Sequence, residues 1–421
     1  MSHFFNRKFA VYLLGMGAIA TVLVNRTTLP ASIKDWLGNA SRPKQVQANP
    51  LPTQFFVVAG GGAPSYNEIA LEKNVRYFQR TLQYLGFNPA IATILFANGN
   101  DGQATIRYLN PLGQERFKVP DIENLTGAAT AANVNQWLQD YPQTVQGSTH
   151  CPAFLYFTGH GALDRENPDN NALILWEEDF LSVQALAQTL DQWPAEIPFV
   201  TMMAQCYAGS FANLIYEGGD PDQPVALQTR CGFFATVKTR PSVGCTPLVN
   251  EADYKDYSSS FFAGMSGRDR VGNTVASADY DADGQVSFAE AHAFAKVDEE
   301  TSDWPISTSE AWLQQQSTST QVQSILATPM QTWLEQARPE QQYVIQSLAA
   351  KLKYDLKTSL TDAPLPESGW FSEPQEVLTA YYKRLEMQLI AVGVEIELRT
   401  GGDGVAIATL AKLLACEAST W

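Results

Sequence analysis

The sequence predicts an α/β fold with a mainly parallel sheet covered by helices on both faces. Three observations support it: short continuous apolar runs, amphipathic stretches between them, and glycine-rich turns where the two meet. Continuous apolar strands are typical of a sheet buried on both faces, because helices then cover the side chains on either side. With 421 residues, 45% of them hydrophobic, the chain is long enough and apolar enough to bury such a core.

The apolar runs give the order of the elements. Strands are predicted at 54–59, 91–96, 153–157, 198–203 and 232–237, with shorter ones at 104–109 and 173–176. Helices are predicted at 67–85, 130–140, 181–193 and 210–216. The first of these has its apolar positions on one face, at Leu71, Val75, Phe78, Leu82 and Leu85. After about residue 310 the strand signals fade, and residues 310–421 are expected to form an α-helical C-terminal region.

The N-terminal residues predict an export signal. Arg7 and Lys8 precede an apolar run at 9–24, which is the order of a basic region and a hydrophobic core in a signal peptide. The run is shorter than the roughly 20 residues of a membrane-spanning helix. Residues 1–26 are therefore interpreted as a signal peptide or a signal anchor, and 27–53 as a linker. We expect the protein to be exported (periplasmic, extracellular or lumenal) or membrane-anchored by residues 9–24.

The charge and the cysteines restrict partners and compartment. The formal charge is −16, from 28 basic and 44 acidic side chains, so nucleic acid is not expected as a partner. Five cysteines in an exported chain leave at least one unpaired. If Cys206 is the free one, the other four allow three pairings, of which Cys231 with Cys245 is the most local. A fully reduced set is the alternative.

Two predicted strands end in residues suited to nucleophilic catalysis. The strand at 153–157 leads into Thr-Gly-His160-Gly161, and the strand at 198–203 leads into Ala-Gln-Cys206-Tyr-Ala-Gly-Ser. The carboxyl ends of parallel strands share one edge of the sheet. Neighbouring strands are roughly 5 Å apart, so the imidazole and the thiol are expected to reach one substrate carbonyl. A helix beginning at Cys206 would favour its thiolate, which is the attacking form.

His160 is the only histidine of the sequence that suits this role. The other three are His3 before the apolar run, His150 before the strand, and His292 on a later helix, where a surface or packing role is expected. The amides of Gly161 and Cys206 are expected to face a developing oxyanion. The alternative interpretation is a loop histidine and a core cysteine that follow apolar strands by chance.

Residues 154–161 and 199–211 together resemble the two catalytic blocks of the caspase, legumain and gingipain clan of cysteine peptidases. In that clan one apolar strand ends in His-Gly, and another ends in the nucleophilic cysteine. The Phe-Phe-Val-Val-Ala-Gly of 55–60 also resembles the first strand of legumain-like enzymes. The resemblance extends over about residues 54 to 300. It implies a caspase-like α/β/α sandwich for a peptidase domain at 54–309.

The resemblance also implies a role for each site residue. Cys206 would be the nucleophile, His160 the general base, and Gly161 part of the oxyanion hole, acting on a peptide or protein substrate. The sequence departs from the clan at two places. Ala204 stands where legumains carry an acidic residue and metacaspases an Asp, and glycines at 60–62 stand where legumain has a histidine-orienting Asn. Neither the specificity pocket nor a third catalytic residue is therefore assigned, and Asp164 is not chosen for that role.

Residues 279–290 match the twelve-residue EF-hand calcium loop. The expected ligands are Asp279, Asp281, Asp283, Gln285, Ser287 and Glu290, and Gly284 makes the turn. Calcium is therefore the predicted cofactor, and no organic cofactor is expected. Ser287 and Glu290 also form a capping box, so the alternative is a loop that only begins a helix. Gly272-Asn273 interrupts the incoming helix of a regular EF-hand.

The sequence leaves three functions open. The first is a cysteine endopeptidase, calcium-dependent or calcium-stabilised. The second is a catalytically inactive caspase-like binding or scaffold protein, and the third is a thiol acyltransferase or transpeptidase. Legumain-like zymogens have a helical C-terminal region over the active site, so the resemblance suggests autoinhibition by 310–421. A packing or oligomerisation domain is the alternative.

Overall fold

A computed structural model describes residues 53–145, 151–368, 373–401 and 403–421. The predicted signal segment at 1–26 and nearly all of the linker at 27–53 lie outside the described residues, as does His150. Within the described ranges, none of the helices combines the length and the apolar character needed to cross a bilayer.

A seven-stranded sheet forms the centre of the described structure. The described residues form twelve strands, of which seven belong to this sheet: β1 (Gln54–Gly60), β2 (Thr93–Phe96), β3 (Ile106–Leu109), β4 (Glu115–Lys118), β5 (Leu125–Gly127), β6 (Ala153–Gly159), β7 (Gly161–Ala162), β8 (Ala172–Ile174), β9 (Phe180–Ser182), β10 (Phe199–Ala204), β11 (Arg230–Phe234) and β12 (Ile306–Ser307). The central sheet has the order β5-β2-β1-β6-β10-β11-β12. Its neighbouring strands are parallel except for β12, which is antiparallel to β11.

Helices cover both faces of this sheet. They are α1 (Ile69–Tyr84), α2 (Ala131–Thr144), α3 (Val183–Leu190), α4 (Tyr257–Ser266), α5 (Phe288–Asp298), α6 (Thr308–Gln316), α7 (Ser319–Ala327), α8 (Met330–Leu334), α9 (Pro339–Leu352), α10 (Gln375–Gly401) and α11 (Gly404–Glu417). Side chains alternate along β1: Phe55 and Val57 pack with α1, α4 and α5, and Phe56 and Val58 pack with α2 and α3. The predicted α/β class with a mainly parallel sheet is confirmed, and the layers are consistent with a caspase-like sandwich.

Several predicted boundaries differ from the structure. The helix predicted at 181–193 begins only at Val183, because Leu181 belongs to β9 and the Ser182 side chain caps the helix. The helix predicted at 210–216 is a 3-10 helix, Ala208–Ile215. The strand predicted at 232–237 is β11, which ends at Phe234.

The C-terminal helices share a core with the sheet domain. Ile215, after β10, and Val297 of α5 pack with side chains of α6 to α11. A disulfide joins Cys231 of β11 to Cys416 of α11. The most local pairing, Cys231 with Cys245, is therefore wrong: the fold brings together two cysteines 185 residues apart in the chain. Cys151, Cys206 and Cys245 are free thiols.

Candidate active site

The structure brings together the three residues that the sequence nominates for catalysis. β6 and β10 are adjacent, with Thr158 paired to Ala204, so His160 and Cys206 each lie two residues beyond the same rung of the sheet. The backbone of Gly161 packs against Cys206 so closely that a Cβ at position 161 would overlap the Cys206 carbonyl. A glycine is therefore needed at position 161, beside the backbone of Cys206.

A constrained turn presents Cys206. Tyr207 adopts a left-handed backbone conformation with φ of 61°, which costs a non-glycine residue on the order of 1 kcal/mol. Its amide donates to the Arg240 carbonyl at 2.8 Å, and Asn171 Nδ2 donates to the Tyr207 carbonyl at 3.3 Å. Neighbouring segments thus hold the turn, and such strain is common at functional sites.

The surroundings of Cys206 do not favour its thiolate. Its Sγ accepts from the Ser242 amide at 3.3 Å and donates to the Ser242 carbonyl at 3.6 Å. Burial raises the pKa of the Cys206 thiol, and the nearby Asp303 carboxylate adds to the rise, while the Ser242 amide opposes it. The helix that follows begins at Ala208, two residues after Cys206, and burial acts against the thiolate.

Glu68 is the orienting partner that the sequence did not reveal. Its Oε2 lies 2.9 Å from His160 Nε2, and its Oε1 accepts from Arg107 Nη2 at 3.2 Å. Burial alone would raise the pKa of Glu68, but the hydrogen bonds from His160 and Arg107 and the charge of His160 bring it below its ordinary value. The edge of Tyr66 packs on the imidazole with ring centroids 5.3 Å apart. His160 is thus fixed on two sides.

The glycines at 60–62 explain how Glu68 reaches this position. A Cβ at Gly61 would overlap the Tyr66 carbonyl, and the Gly61 amide donates to Asn67 Oδ1 at 3.0 Å. The chain after β1 can therefore fold back tightly over the strand end. The run that seemed to lack an orienting residue is what brings Glu68, at the start of α1, against His160. An acid directly before the amphipathic helix was the available sequence signal.

Cys245 is a second thiol at the site. Its Sγ lies within 4.8 Å of a His160 ring nitrogen and a Glu68 carboxylate oxygen. It also donates to the Gly159 carbonyl at 3.6 Å. Burial and the nearby Glu68 carboxylate raise the pKa of Cys245 well above its ordinary value. Sequence reasoning treated Cys245 as a disulfide partner and missed this position, because the long loop after β11 carries no periodic signal.

Asp164 has a local structural role. Its Oδ1 accepts from the amides of Glu166 and Asn167, each at 2.9 Å, so the carboxylate closes a turn after β7. Ala204 is buried at the end of β10.

The predicted calcium loop brings three of its six ligands together. The carboxylates of Asp279, Asp281 and Asp283 each offer an oxygen within 4.8 Å of the others. Asp279 Oδ2 accepts from the Gly284 amide at 3.1 Å, and Gly284 has a φ of 90°. These residues fit a hard cation bound by oxygen ligands.

The second half of the loop forms the capping box named as the alternative. Ser287 caps α5, and Glu290 Oε2 accepts from the Ser287 amide at 2.8 Å. Glu290 Oε1 accepts from the Tyr280 amide at 2.7 Å, so this carboxylate would have to leave both bonds to reach an ion. Gln285 is exposed beside them. Between Ser266, where α4 ends, and the loop, the described residues form no helix that would enter it.

His292 is a packing residue and not a surface one. It is buried on α5, with Nδ1 2.6 Å from the Tyr257 hydroxyl and Nε2 3.2 Å from Glu310 Oε2. Its role is to tie α5 to α4 and α6.

Comparisons with known proteins do not indicate a function for this site. No protein-family model matches the chain, and no curated protein matches it. Among solved structures, protein GSU0716 from Geobacter sulfurreducens is 14% identical with a TM-score of 0.29, over 46% of this chain and 76% of that one. A similarity of that extent says nothing about function.

Proposed function

We propose that this protein is a cysteine endopeptidase of the caspase, legumain and gingipain type, with Cys206 as nucleophile and His160 as general base. The observation that carries the proposal is the meeting of two adjacent strand ends: an imidazole held by a buried carboxylate, and a thiol on a constrained turn. A nucleophile, a base and a group that orients the base are the parts that covalent acyl transfer requires.

The proposed reaction follows from the hydrogen bond to Glu68. The Glu68 carboxylate accepts a hydrogen bond from Nε2 of His160. That nitrogen therefore carries the imidazole proton, and Nδ1 is left as the base. His160 takes the thiol proton as Cys206 Sγ attacks the substrate carbonyl, and Glu68 stabilises the resulting imidazolium. The imidazolium then protonates the leaving amine, which leaves a thioester that water hydrolyses. The Gly161 amide is the proposed donor to the oxyanion.

Cys206 is preferred to Cys245 as the nucleophile. Both thiols are shielded, but the Ser242 amide donates to Cys206 and works against the rise in its pKa. Cys245 is more strongly affected by burial, and its neighbour Glu68 is negative. The constrained turn also presents Cys206 and not Cys245.

An inactive binding protein is the second candidate, and one observation favours it. The segment at Ser242 contacts the Cys206 thiol with both its amide and its carbonyl, and burial keeps that thiol protonated. In a peptidase this segment has to shift when substrate binds. In a binding protein it can remain where it is.

Calcium and export complete the proposal. We assign calcium to the loop 279–290, through Asp279, Asp281 and Asp283, as a stabilising ion of the same domain. Export, by a signal or an anchor at 1–26, agrees with a disulfide between Cys231 and Cys416, because disulfides persist in oxidising compartments.

A fluorogenic peptide library tests the proposed activity. The wild type and the variants Cys206→Ala, Cys245→Ala and Cys151→Ala are assayed with calcium and with a chelator. We expect cleavage by the wild type and by Cys151→Ala, in which the lost thiol is buried before β6, and loss of at least 1000-fold in Cys206→Ala. Equal cleavage by the wild type and Cys206→Ala would refute the assignment. Loss in Cys245→Ala alone would transfer the role to that thiol.

A further inference from the structure

Three different metal-ligating side chains converge at the base of the candidate site. Glu68 starts α1, His160 follows β6, and Cys245 lies in the loop after β11. One ligand atom from each lies within 4.8 Å of the other two. Carboxylate, imidazole and thiolate donors brought together from three distant parts of the chain are the usual make-up of a transition-metal site.

We propose that Glu68, His160 and Cys245 form a zinc site, and that Zn²⁺ bound there switches the peptidase off. The donor set selects the metal: a thiolate is a poor ligand for calcium or magnesium, while one sulfur, one nitrogen and one oxygen suit tetrahedral Zn²⁺. Three protein ligands leave a fourth position for water, and the His160 side chain is 22% exposed, so the site has a route from solvent.

The surroundings hold these donors in place. Glu68 Oε1 is held by Arg107 at 3.2 Å, which leaves Oε2 as the ligand oxygen. The Tyr66 ring packs against the imidazole, and the Gly159 carbonyl lies 3.6 Å from Cys245 Sγ. Outer contacts of this kind orient metal ligands and are worth about 10-fold to 100-fold in affinity.

Binding replaces a proton by the metal. The Cys245 thiol releases its proton to solvent and the sulfur bonds to the ion. The ring proton of His160 passes through solvent from Nε2 to Nδ1, so the imidazole stays neutral, and Nε2 and Oε2, now 2.9 Å apart, become ligands of the ion. Binding therefore strengthens as pH rises.

Inhibition follows only if the proposed function is right. With Nε2 on zinc, the imidazole has lost the carboxylate that stabilises its protonated form, and its position is fixed by the metal. His160 can then no longer take the Cys206 proton and pass it to the leaving amine. The metal site itself does not depend on catalysis, so the two parts can fail separately.

Cobalt titration tests the site without reference to activity. Full-length protein with its free thiols reduced and the Cys231–Cys416 disulfide intact, saturated with calcium to fill the acidic loop, is titrated with Co²⁺, and thiolate-to-cobalt charge-transfer absorption is recorded. We expect the band at one equivalent in the wild type, in Cys206→Ala and in Cys151→Ser. We expect the band to be absent in Cys245→Ser. In the proteins that show the band, zinc is expected to displace cobalt. Far-UV circular dichroism establishes that each variant is folded.

Three results would overturn the site: no band in the wild type, a band that persists in Cys245→Ser, or a band lost in Cys206→Ala. Should Cys245→Ser not fold, alkylation of the folded wild type replaces it. Zn²⁺ is then expected to slow labelling of Cys245 at least 10-fold, as read by peptide mapping, and unchanged labelling contradicts the proposal. Peptide cleavage without the cobalt band refutes the zinc site alone, and the band without any cleavage refutes the proposed function alone.

Discussion

At the scale of single residues, the arrangement around His160 depends on a carboxylate supplied from far along the chain. Glu68 is 92 residues from His160 in sequence, and it is 4% exposed. A buried carboxylate is costly unless it is paired, and here both oxygens are used, one by His160 and one by Arg107. The pairing fixes the ring and its tautomer, which is the role of the orienting acid in catalytic triads.

We expect Glu68→Ala to lower kcat by about 100-fold or more with a smaller change in KM, because the base loses its orientation while substrate contacts remain. Steady-state kinetics with the best library peptide measures kcat and KM separately. Glu115→Ala is the matched control, since Glu115 is the exposed second partner of Arg107, at 3.0 Å, and its loss should leave kcat within about two-fold. An unchanged kcat in Glu68→Ala would show that His160 needs no orienting acid.

The difference between what the sequence predicted and what it missed has a physical cause. His160 and Cys206 could be nominated because each lies within two residues of the end of an apolar strand, so a local pattern fixes its position at the sheet edge. Glu68 and Cys245 reach the same edge through a glycine turn and a long loop, and their contacts depend on packing between distant segments. The disulfide partner of Cys231 was missed for the same reason.

At the scale of elements, the acidic loop lies in the connection between α4 and α5. Asp279, Asp281 and Asp283 concentrate three negative charges in a small volume, which destabilises the loop unless a cation or backbone amides offset them. A ligand that binds only the folded state stabilises it by RT ln(1 + [L]/Kd), about 2.7 kcal/mol at 100 times Kd. Calcium should therefore raise the melting temperature.

Asp279→Ala should abolish most of that rise, because Asp279 accepts from the Gly284 amide and is one of the three carboxylates proposed to bind calcium. Differential scanning calorimetry with calcium and with a chelator measures the shift. Asp222→Ala, an exposed acid in the loop before β11, should keep the full response. A calcium response of equal size in both variants would exclude this loop as the site.

The contact between α11 and α6 contains a buried carboxylate that titrates near neutrality. Glu417 accepts from the Ser309 amide and hydroxyl, each at 2.6 Å, and burial raises its pKa to about 7. The folded state therefore holds a proton that the unfolded chain releases near its ordinary pKa of 4.5. Stability from this group is present below about pH 4.5 and is lost as pH rises through about 7.

The variant Glu417→Gln tests whether the stability contributed by Glu417 falls as pH rises. The variant cannot lose a proton, so the wild type should become less stable relative to it as pH rises from 4.5 to above 7, by on the order of 3 kcal/mol. Urea unfolding over this range gives the difference. Glu376→Gln, an exposed glutamate near the start of α10, should show a difference that does not change over the same range. A wild type that gains stability relative to Glu417→Gln would contradict the assignment.

At the scale of the whole molecule, one arginine of α10 ties the C-terminal helices to the candidate site. The fully buried guanidinium of Arg384 donates to the carbonyls of Asp303, Glu299 and Thr301, at 2.8, 2.6 and 3.1 Å. The Asp303 carboxylate in turn accepts from the Val243 amide at 3.0 Å, next to the residue that contacts the Cys206 thiol. This connection makes α10 a support of the site.

Arg384→Lys should destabilise the protein by about 3 kcal/mol, because an ammonium cannot reproduce the planar set of donors and leaves buried carbonyls unpaired. The midpoint of urea unfolding measures the loss. Arg399→Lys, a half-exposed arginine on the same helix paired with Glu395 at 2.9 Å, should cost less than about 0.5 kcal/mol. Equal costs would mean that the buried network contributes nothing beyond an ordinary ion pair.

The contacts of Trp421 favour packing over autoinhibition as the role of the last residues of the C-terminal region. Trp421 packs on Phe55 and Phe154, with ring centroids 5.1 and 5.2 Å apart, and both phenylalanines lie near the amino ends of β1 and β6. His160 and Cys206 follow the opposite ends of the sheet strands. The final residues therefore close the bottom of the core, away from the thiol.

Trp421→Ala should lower stability by about 3 kcal/mol through lost burial, with no gain in peptide cleavage at temperatures where it remains folded. Val405→Ala, a change at a 73% exposed position of α11, should alter neither. Urea unfolding and the fluorogenic assay are run on the same samples. A several-fold rise in cleavage with Trp421→Ala would mean that loosening this end releases an inhibited enzyme. Lower stability with unchanged peptide cleavage would support a packing role for the C-terminal region.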